Sequence, residues 1–308
     1  RECVIAILVD GPCGRCGANA ADLRHPSSFC LAYRPPPRLW PMQTERYSHG
    51  HHESVLRAHS WRTAENSVGY LLPHLRPGAS LLDVGSGPGT ITVDLARRLD
   101  PGRVVGLDSS AEVVAQAQAH AAAEGVTNVS FETADAYAVD APDGSFDIVH
   151  THQLLQHLGR PVDALREFRR LAGQGGLVAA RDVDYAGIII HPHIPALDEW
   201  LDLLLRIGRN NGGEPAAGRR LKAWARQAGF TDVAVSASTW LFETDEQRAW
   251  WGGSWADRAL HSSYAEHAVE QGLAGRADLE RISAGWREWA AAPDGWLLMP
   301  HGEILARG

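Results

Sequence analysis

The chain has 308 residues, 44% of them hydrophobic, enough for one large domain or two small ones with ample core. Its formal net charge is −8 and Lys222 is the only lysine, so there is no basic tract to neutralise a phosphate backbone and nucleic acid is not an expected partner. No apolar run approaches the length of about 20 residues that spans a bilayer, and Val4–Val9 is followed by Asp10-Gly11-Pro12 rather than a cleavage site, so no membrane span is expected and the cytoplasm is the expected compartment.

All four cysteines, Cys3, Cys13, Cys16 and Cys30, precede the proline-rich stretch Arg34-Pro35-Pro36-Pro37-Arg38. A C-x-x-C pair is zinc chemistry, but the outer spacings match no finger, and residues 1–41 are expected to be a disordered extension ahead of a domain over 42–308. Within 42–80 the sequence predicts cap helices. Ala64, Val68, Leu71 and Leu72 share a helical face from Arg62, and Pro73 and Pro77-Gly78 end it. Leu81–Val84 reads as a short apolar strand, followed by the turn Gly85-Ser86-Gly87-Pro88-Gly89-Thr90, a helix from Ile91 that Thr90 is expected to cap, and a second strand, Val104–Asp108. The glycines strip one side of the turn of side chains, so a nucleoside can lie against bare backbone. Asp108, at the tip of the next strand, can accept hydrogen bonds from both hydroxyls of a ribose.

Further along, Pro161–Leu171 reads as a helix with Leu165, Phe168 and Leu171 on one side. Pro195–Gly208 is amphipathic through Leu197, Trp200, Leu201, Leu204 and Leu205, and Arg219–Gly229 forms another helix before the strand Val233–Val235. Residues 243–294 are helical in pattern and rich in tryptophan, and nine of the eleven tryptophans lie from Trp200 to Trp296. These rings either wall an apolar or planar substrate pocket or make the inserted segment's own core.

A dinucleotide turn runs G-x-G-x-x-G/A, whereas here the third glycine comes one position early and Asp83 precedes the turn. The D-x-G-x-G-x-G run from Asp83 to Gly89, with Asp108 next, closely resembles motif I and its companion acidic residue in the class I S-adenosylmethionine-dependent methyltransferases. The likeness continues in order: Val129–Ala136 resembles the third strand and its Asp-Ala step, Ser145–His152 the fourth strand, and Gly175–Asp182 the G-G turn and fifth strand. It covers about Leu81 to Asp184, and is nearest to the ubiquinone- and menaquinone-biosynthesis-type enzymes that methylate small molecules. The resemblance implies an α/β, Rossmann-like seven-stranded sheet, six strands parallel and the seventh, from Trp296–Ala306, antiparallel. Helices cover both faces, and the insertion at 243–294 stands near the substrate site. It implies S-adenosylmethionine as cofactor, held by Asp83, Gly85, Gly87, Gly89, Thr90, Asp108, Ser109, Asp135, Ala136 and Thr151, with Arg62 reaching its carboxylate. The implied activity is methyl transfer to a small-molecule acceptor, apolar or aromatic.

Such a transfer needs the nucleophile in line and water excluded. A phenol or carbon acid also needs a base, and histidine titrates near pH 6.5. His152 and His157, after the fourth strand, and His51, in the cap, are the candidates. For His157 the alternative is packing in a turn, and for His51, with His49 and His52, a solvated segment; no metal site is assigned, since the triplet lacks a carboxylate at ligand spacing. The Asn/Asp-Pro-Pro-aromatic tetrapeptide of amino-group nucleic-acid methyltransferases is replaced by His150-Thr151-His152-Gln153. Two other readings stay open. One is a nicotinamide-dependent oxidoreductase, opposed by the glycine spacing and by Gly218 where a Tyr-x-x-x-Lys pair would need tyrosine. The other is a non-catalytic S-adenosylmethionine-binding regulatory module.

Overall fold

The computed structural model describes residues 61–308. Thr63 starts α1 (Ala64–Val68) through a capping box in which its hydroxyl accepts from Asn66 N–H while the Asn66 side chain accepts from Thr63 N–H. The expected helix to Leu72 stops there, because Pro73 has no N–H to offer the carbonyl of Gly69; a 3₁₀ turn, Leu72–His74, takes over.

Three parallel units follow: β1 (Leu81–Val84), α2 (Thr90–Leu99), β2 (Val104–Asp108), α3 (Ala111–Ala123), β3 (Val129–Thr133), then β4 (Ile148–His152), α4 (Pro161–Ala172) and β5 (Leu177–Val183). Every residue of β1, β4 and β5 is buried, as expected for strands covered on both faces. The strand order is β3-β2-β1-β4-β5, all parallel, with β8 (Trp296–Arg307) antiparallel beside β5 and β7 (Asp232–Phe242) antiparallel along nearly the whole of β8.

The sheet has eight strands rather than the expected seven. The extra one, β6 (Ile189–His191), pairs with Trp296–Leu298 on the edge of β8 where β5 pairs with His301–Ala306. It therefore continues the line of β5 after a 3₁₀ turn at Tyr185–Gly187. Arg219 clamps that turn through Asp184, with nitrogen to oxygen distances of 2.6 and 2.8 Å.

Between β6 and β7 run α5 (Pro195–Asn210) and α6 (Leu221–Gln227); between β7 and β8 run α7 (Asp245–His261), α8 (Ser263–Glu270) and α9 (Arg276–Ala291). The last three, with α5, close around their own core. Trp200, Trp255, Trp286 and Trp289 are completely buried there, and Trp200 meets Trp255 and Trp286 edge-on, each with ring centroids 4.8 Å apart. Burying one such ring removes about 150–250 Å² from water, a gross transfer term of roughly 4–6 kcal/mol at about 25 cal/mol per Å². Among the described residues no helix is long and apolar enough to cross a membrane.

Candidate active site

The carboxyl ends of β1, β2 and β4 open onto a cavity of about 610 Å³, where ligands bind in open α/β sheets. Its floor is the glycine turn. Gly85, Gly87 and Gly89 have φ of 77°, 55° and 84°, and Gly85 and Ser86 N–H both donate to Leu107 O, at 2.8 and 2.9 Å, which ties the turn to β2. A Cβ on Gly89 would stand 2.8 Å from the Phe131 ring and 3.0 Å from Ala117, so only glycine lets α2 start this close to β3 and α3. Gly89, not Thr90, is the N-cap of α2. Thr90 is the first helical residue and borders the cavity.

Asp108 accepts from Gly87 N–H at 3.1 Å and Ser110 N–H at 3.0 Å, one bond to each oxygen. The carboxylate is thereby held beside the turn, each oxygen has a further lone pair, and Asp108 lines the cavity with Ser109. Asp135 and Ala136 border the same space, followed by Tyr137. The Asp135 carboxylate accepts from Tyr137 N–H at 2.9 Å, and the Arg160 guanidinium lies 4.2 Å over the Tyr137 ring.

Asp83 touches the cavity, but its oxygens are both engaged: Thr92 donates to one at 2.6 Å and the His150 ring meets the other at 2.7 Å. It joins β1, α2 and β4 beneath the turn. Thr151 is fully buried and donates to Val84 O at 2.8 Å, and neither it nor Gly89 is among the residues lining the cavity.

The far end of the cavity is formed by Arg62, His152, Gln153 and His157. Gln153 is the one non-glycine residue at positive φ (53°) among those described. That backbone turns its amide between Arg62 Nη2 and His301 Nε2, each 2.8 Å away. Burial, helped by Arg62, pushes the His157 imidazole down to about 3, so it is neutral at ordinary pH. Burial and then Arg181 hold His152 well below its usual range. The β4–α4 loop is pinned by Asp182, which accepts from Leu155 N–H at 3.2 Å and Gln156 N–H at 3.4 Å and whose carboxyl is pushed up to about 8, chiefly by burial. His51, the other proposed base, and the His49–His52 and cysteine clusters lie outside the described residues.

Sequence reasoning missed Gln153, His150, Arg181, His301 and Glu303. His150 and His152 alternate on one strand, a signal that both face the same side; nothing local marks the other four. The inserted helices α7, α8 and α9 contribute no lining residue to this cavity.

The chain matches a family described as methyltransferase domain over residues 75–212. It is 33% identical over 267 residues to an uncharacterized methyltransferase of Schizosaccharomyces pombe, covering 84% of this chain and 95% of that protein. It is 31% identical over 164 residues to a ubiquinone/menaquinone biosynthesis C-methyltransferase of Bdellovibrio bacteriovorus, covering 51% of this chain and 68% of that one. Among solved structures, the YcgJ protein of Bacillus subtilis superposes with a TM-score of 0.52 at 20% identity, over 83% of this chain and 99% of that chain, a likeness of fold.

Proposed function

The chain belongs to the class I S-adenosylmethionine-dependent methyltransferases, and from that footing we propose that it methylates a small-molecule acceptor. The observation that carries the proposal is the cavity itself: about 610 Å³ lies in the range of small-molecule and cofactor sites, about 300–1,000 Å³. Its lining runs from the glycine turn and Asp108 to the polar residues Arg62, His152 and Gln153. The name of the Bdellovibrio relative, a C-methyltransferase of ubiquinone/menaquinone biosynthesis, also favours a small acceptor. Family membership sets aside the nicotinamide reading.

The residues fit S-adenosylmethionine. The turn offers bare backbone where a side chain at Gly85 would already meet Leu154, 3.1 Å from the added carbon. Asp108 has lone pairs for both ribose hydroxyls, Asp135 and Ala136 would hold the base, and Arg62 would meet the carboxylate. When bound, the cofactor supplies a methyl group already activated on a sulfonium. The chain's own task is then alignment and exclusion of water, worth several kcal/mol. Arg62 serves that task from a fixed position, because Gln153 accepts its Nη2–H.

The test is incubation with isotopically labelled S-adenosylmethionine and a panel of phenols, quinones and small amines, read by mass gain. Transfer to a panel member is the expected result. Label appearing only on protein or nucleic acid would refute the small-acceptor assignment.

A further inference from the structure

The backbone at Gln153, with φ of 53°, is in the left-handed region, where a Cβ crowds the following carbonyl and side chains other than glycine are uncommon. Such a conformation persists where its neighbours over-determine it. Here it is held from two directions. Gln153 N–H donates to Arg181 O on β5 at 2.8 Å, and Gln153 O accepts from Gln156 Nε2 at 3.4 Å. Residues of this kind cluster where ligands are clamped, and Gln153 lines the cavity together with Arg62.

The side chain of Gln153 belongs to a chain of hydrogen bonds that can run in only one direction. Met299 O can only accept, so His301 Nδ1, 3.1 Å away, carries a proton. Burial and then Arg181 hold His301 well below its usual range, so the ring is neutral and its Nε2 has a lone pair. Gln153 Nε2, 2.8 Å off, therefore donates to it. The carbonyl end of the amide is turned to Arg62, whose Nη2–H donates to Oε1 at 2.8 Å. His301 is 1% exposed and packs on Trp240 of β7 with ring centroids 4.5 Å apart, so the anchor is a fixed one. The same Trp240 ring supports the Arg62 guanidinium, 5.5 Å from its centroid.

An amide oxygen is neutral, so this contact orients the guanidinium without cancelling its charge. A carboxylate in the same place would orient it and neutralise it together. The arrangement suits a site that presents a positive charge, in a set direction, to an anionic group brought by a ligand. S-adenosylmethionine carries one such group, the carboxylate of its amino-acid part, and its nucleoside part carries none.

We propose that Gln153 is a positioning residue for cofactor recognition: anchored on His301, it sets Arg62 to take the carboxylate of S-adenosylmethionine. The inference rests on the S-adenosylmethionine reading above and deepens it, by assigning how the chain tells the whole cofactor from its nucleoside fragments. Asp108 and the glycine turn serve the adenosine, which the fragments share. The chain from Met299 through His301 and Gln153 to Arg62 serves the part they lack. Gln153 acts through Arg62 and takes no part in the transfer itself.

The test measures, by calorimetry on the full chain, the affinities for S-adenosylhomocysteine and for methylthioadenosine, which keeps the adenosine and the sulfur but lacks the amino-acid part. Their ratio reads carboxylate recognition, and a purely structural defect weakens both ligands alike. Gln153→Gly, which suits the left-handed backbone, should lower S-adenosylhomocysteine affinity roughly tenfold, the scale of one hydrogen bond to a charged group, and leave methylthioadenosine binding unchanged. His301→Phe keeps a ring beside Trp240 but loses the anchor, and should lower the ratio in the same direction. Gln153→Glu keeps the reach to Arg62 and cancels its charge, so it should lower the ratio too; a contact that only pinned the chain would survive this change. Asp108→Asn, at the shared ribose, should weaken both ligands together. If Arg62→Leu lowers the ratio while Gln153→Gly and Gln153→Glu keep that of the parent, the role of Gln153 is overturned and the Arg62 assignment stands. An unchanged ratio in Arg62→Leu overturns both. Equal weakening of the two ligands by Gln153→Gly makes the residue structural and also overturns the proposal. Should Gln153→Gly fail to fold, Gln153→Glu and His301→Phe decide. A parent chain that binds neither ligand refutes the cofactor reading itself, and the proposal falls with it.

Discussion

Replacing Asp108 tests the nucleoside end of the cavity most directly. Its two oxygens take Gly87 N–H and Ser110 N–H at 3.1 and 3.0 Å, and an ionised carboxylate has about four lone-pair positions. Two remain, one on each oxygen, for the two hydroxyls of a ribose. Asp108→Asn keeps the shape, but its NH2 replaces an oxygen that takes one backbone N–H and one ribose hydroxyl, so at least the charge-assisted hydroxyl bond is lost, worth about 1.5–3 kcal/mol. That converts to roughly a 10- to 100-fold weaker complex with S-adenosylhomocysteine. Asp108→Ala loses both and should weaken binding by at least about tenfold, with the two backbone donors also left to water. Isothermal calorimetry measures the affinity, and thermal melting of the ligand-free variants separates binding from folding. An Asp108→Asn protein that melts like the parent and binds with unchanged affinity would refute the assignment of Asp108 to the ribose.

Gly89→Ala places a Cβ 2.8 Å from Phe131 at a φ of 84°; the strain, about 1–3 kcal/mol, should appear as a lower melting temperature and weaker S-adenosylhomocysteine binding together. Trp286→Ala, at a completely buried ring packed edge-on against Trp200, should cost about 3–5 kcal/mol in urea unfolding, and a loss below about 1 kcal/mol would mean that the insertion's core repacks freely. The Asp182 carboxyl, raised to about 8 by burial, holds a proton that the unfolded chain releases near pH 4. Folding therefore binds protons in between, and this group's contribution to stability is full below about pH 4 and declines as pH rises toward 8. Unfolding curves across that range should be flatter in Asp182→Asn; an unchanged slope would show that the carboxyl titrates normally.

The glycine turn and Asp108 could be read from sequence because their chemistry is local. Leu81–Val84, three glycines at alternate positions and Val104–Asp108 bring the ligand-facing groups together through one βαβ unit, whose geometry leaves little choice. The inserted helices were legible in the same way, through spacing, but the fate of their tryptophans was not, since a ring's burial depends on which helix lies opposite. The break between β5 and β6 was missed because three residues make the strand and Asp184 makes the turn only with Arg219 against it.

The far end of the cavity, with Arg62, His152 and Gln153, belongs to the tertiary structure. Periodicity places His152, Arg181 and Glu303 each on one face of its own strand, yet Arg181 and Glu303 are 122 residues apart, and only the register of β5 against β8 makes them partners. His152 read alone is a histidine at the end of a strand, a natural base. In the fold its Nε2 lies 2.8 Å from Arg181 Nη1, a group that can only donate, so that lone pair is taken. Sequence by itself determined the parallel strands β1 to β5, the turn and the cofactor, because those follow from neighbours along the chain. The protonation of the site was decided by neighbours across the sheet, because hydrogen-bond direction depends on who stands opposite.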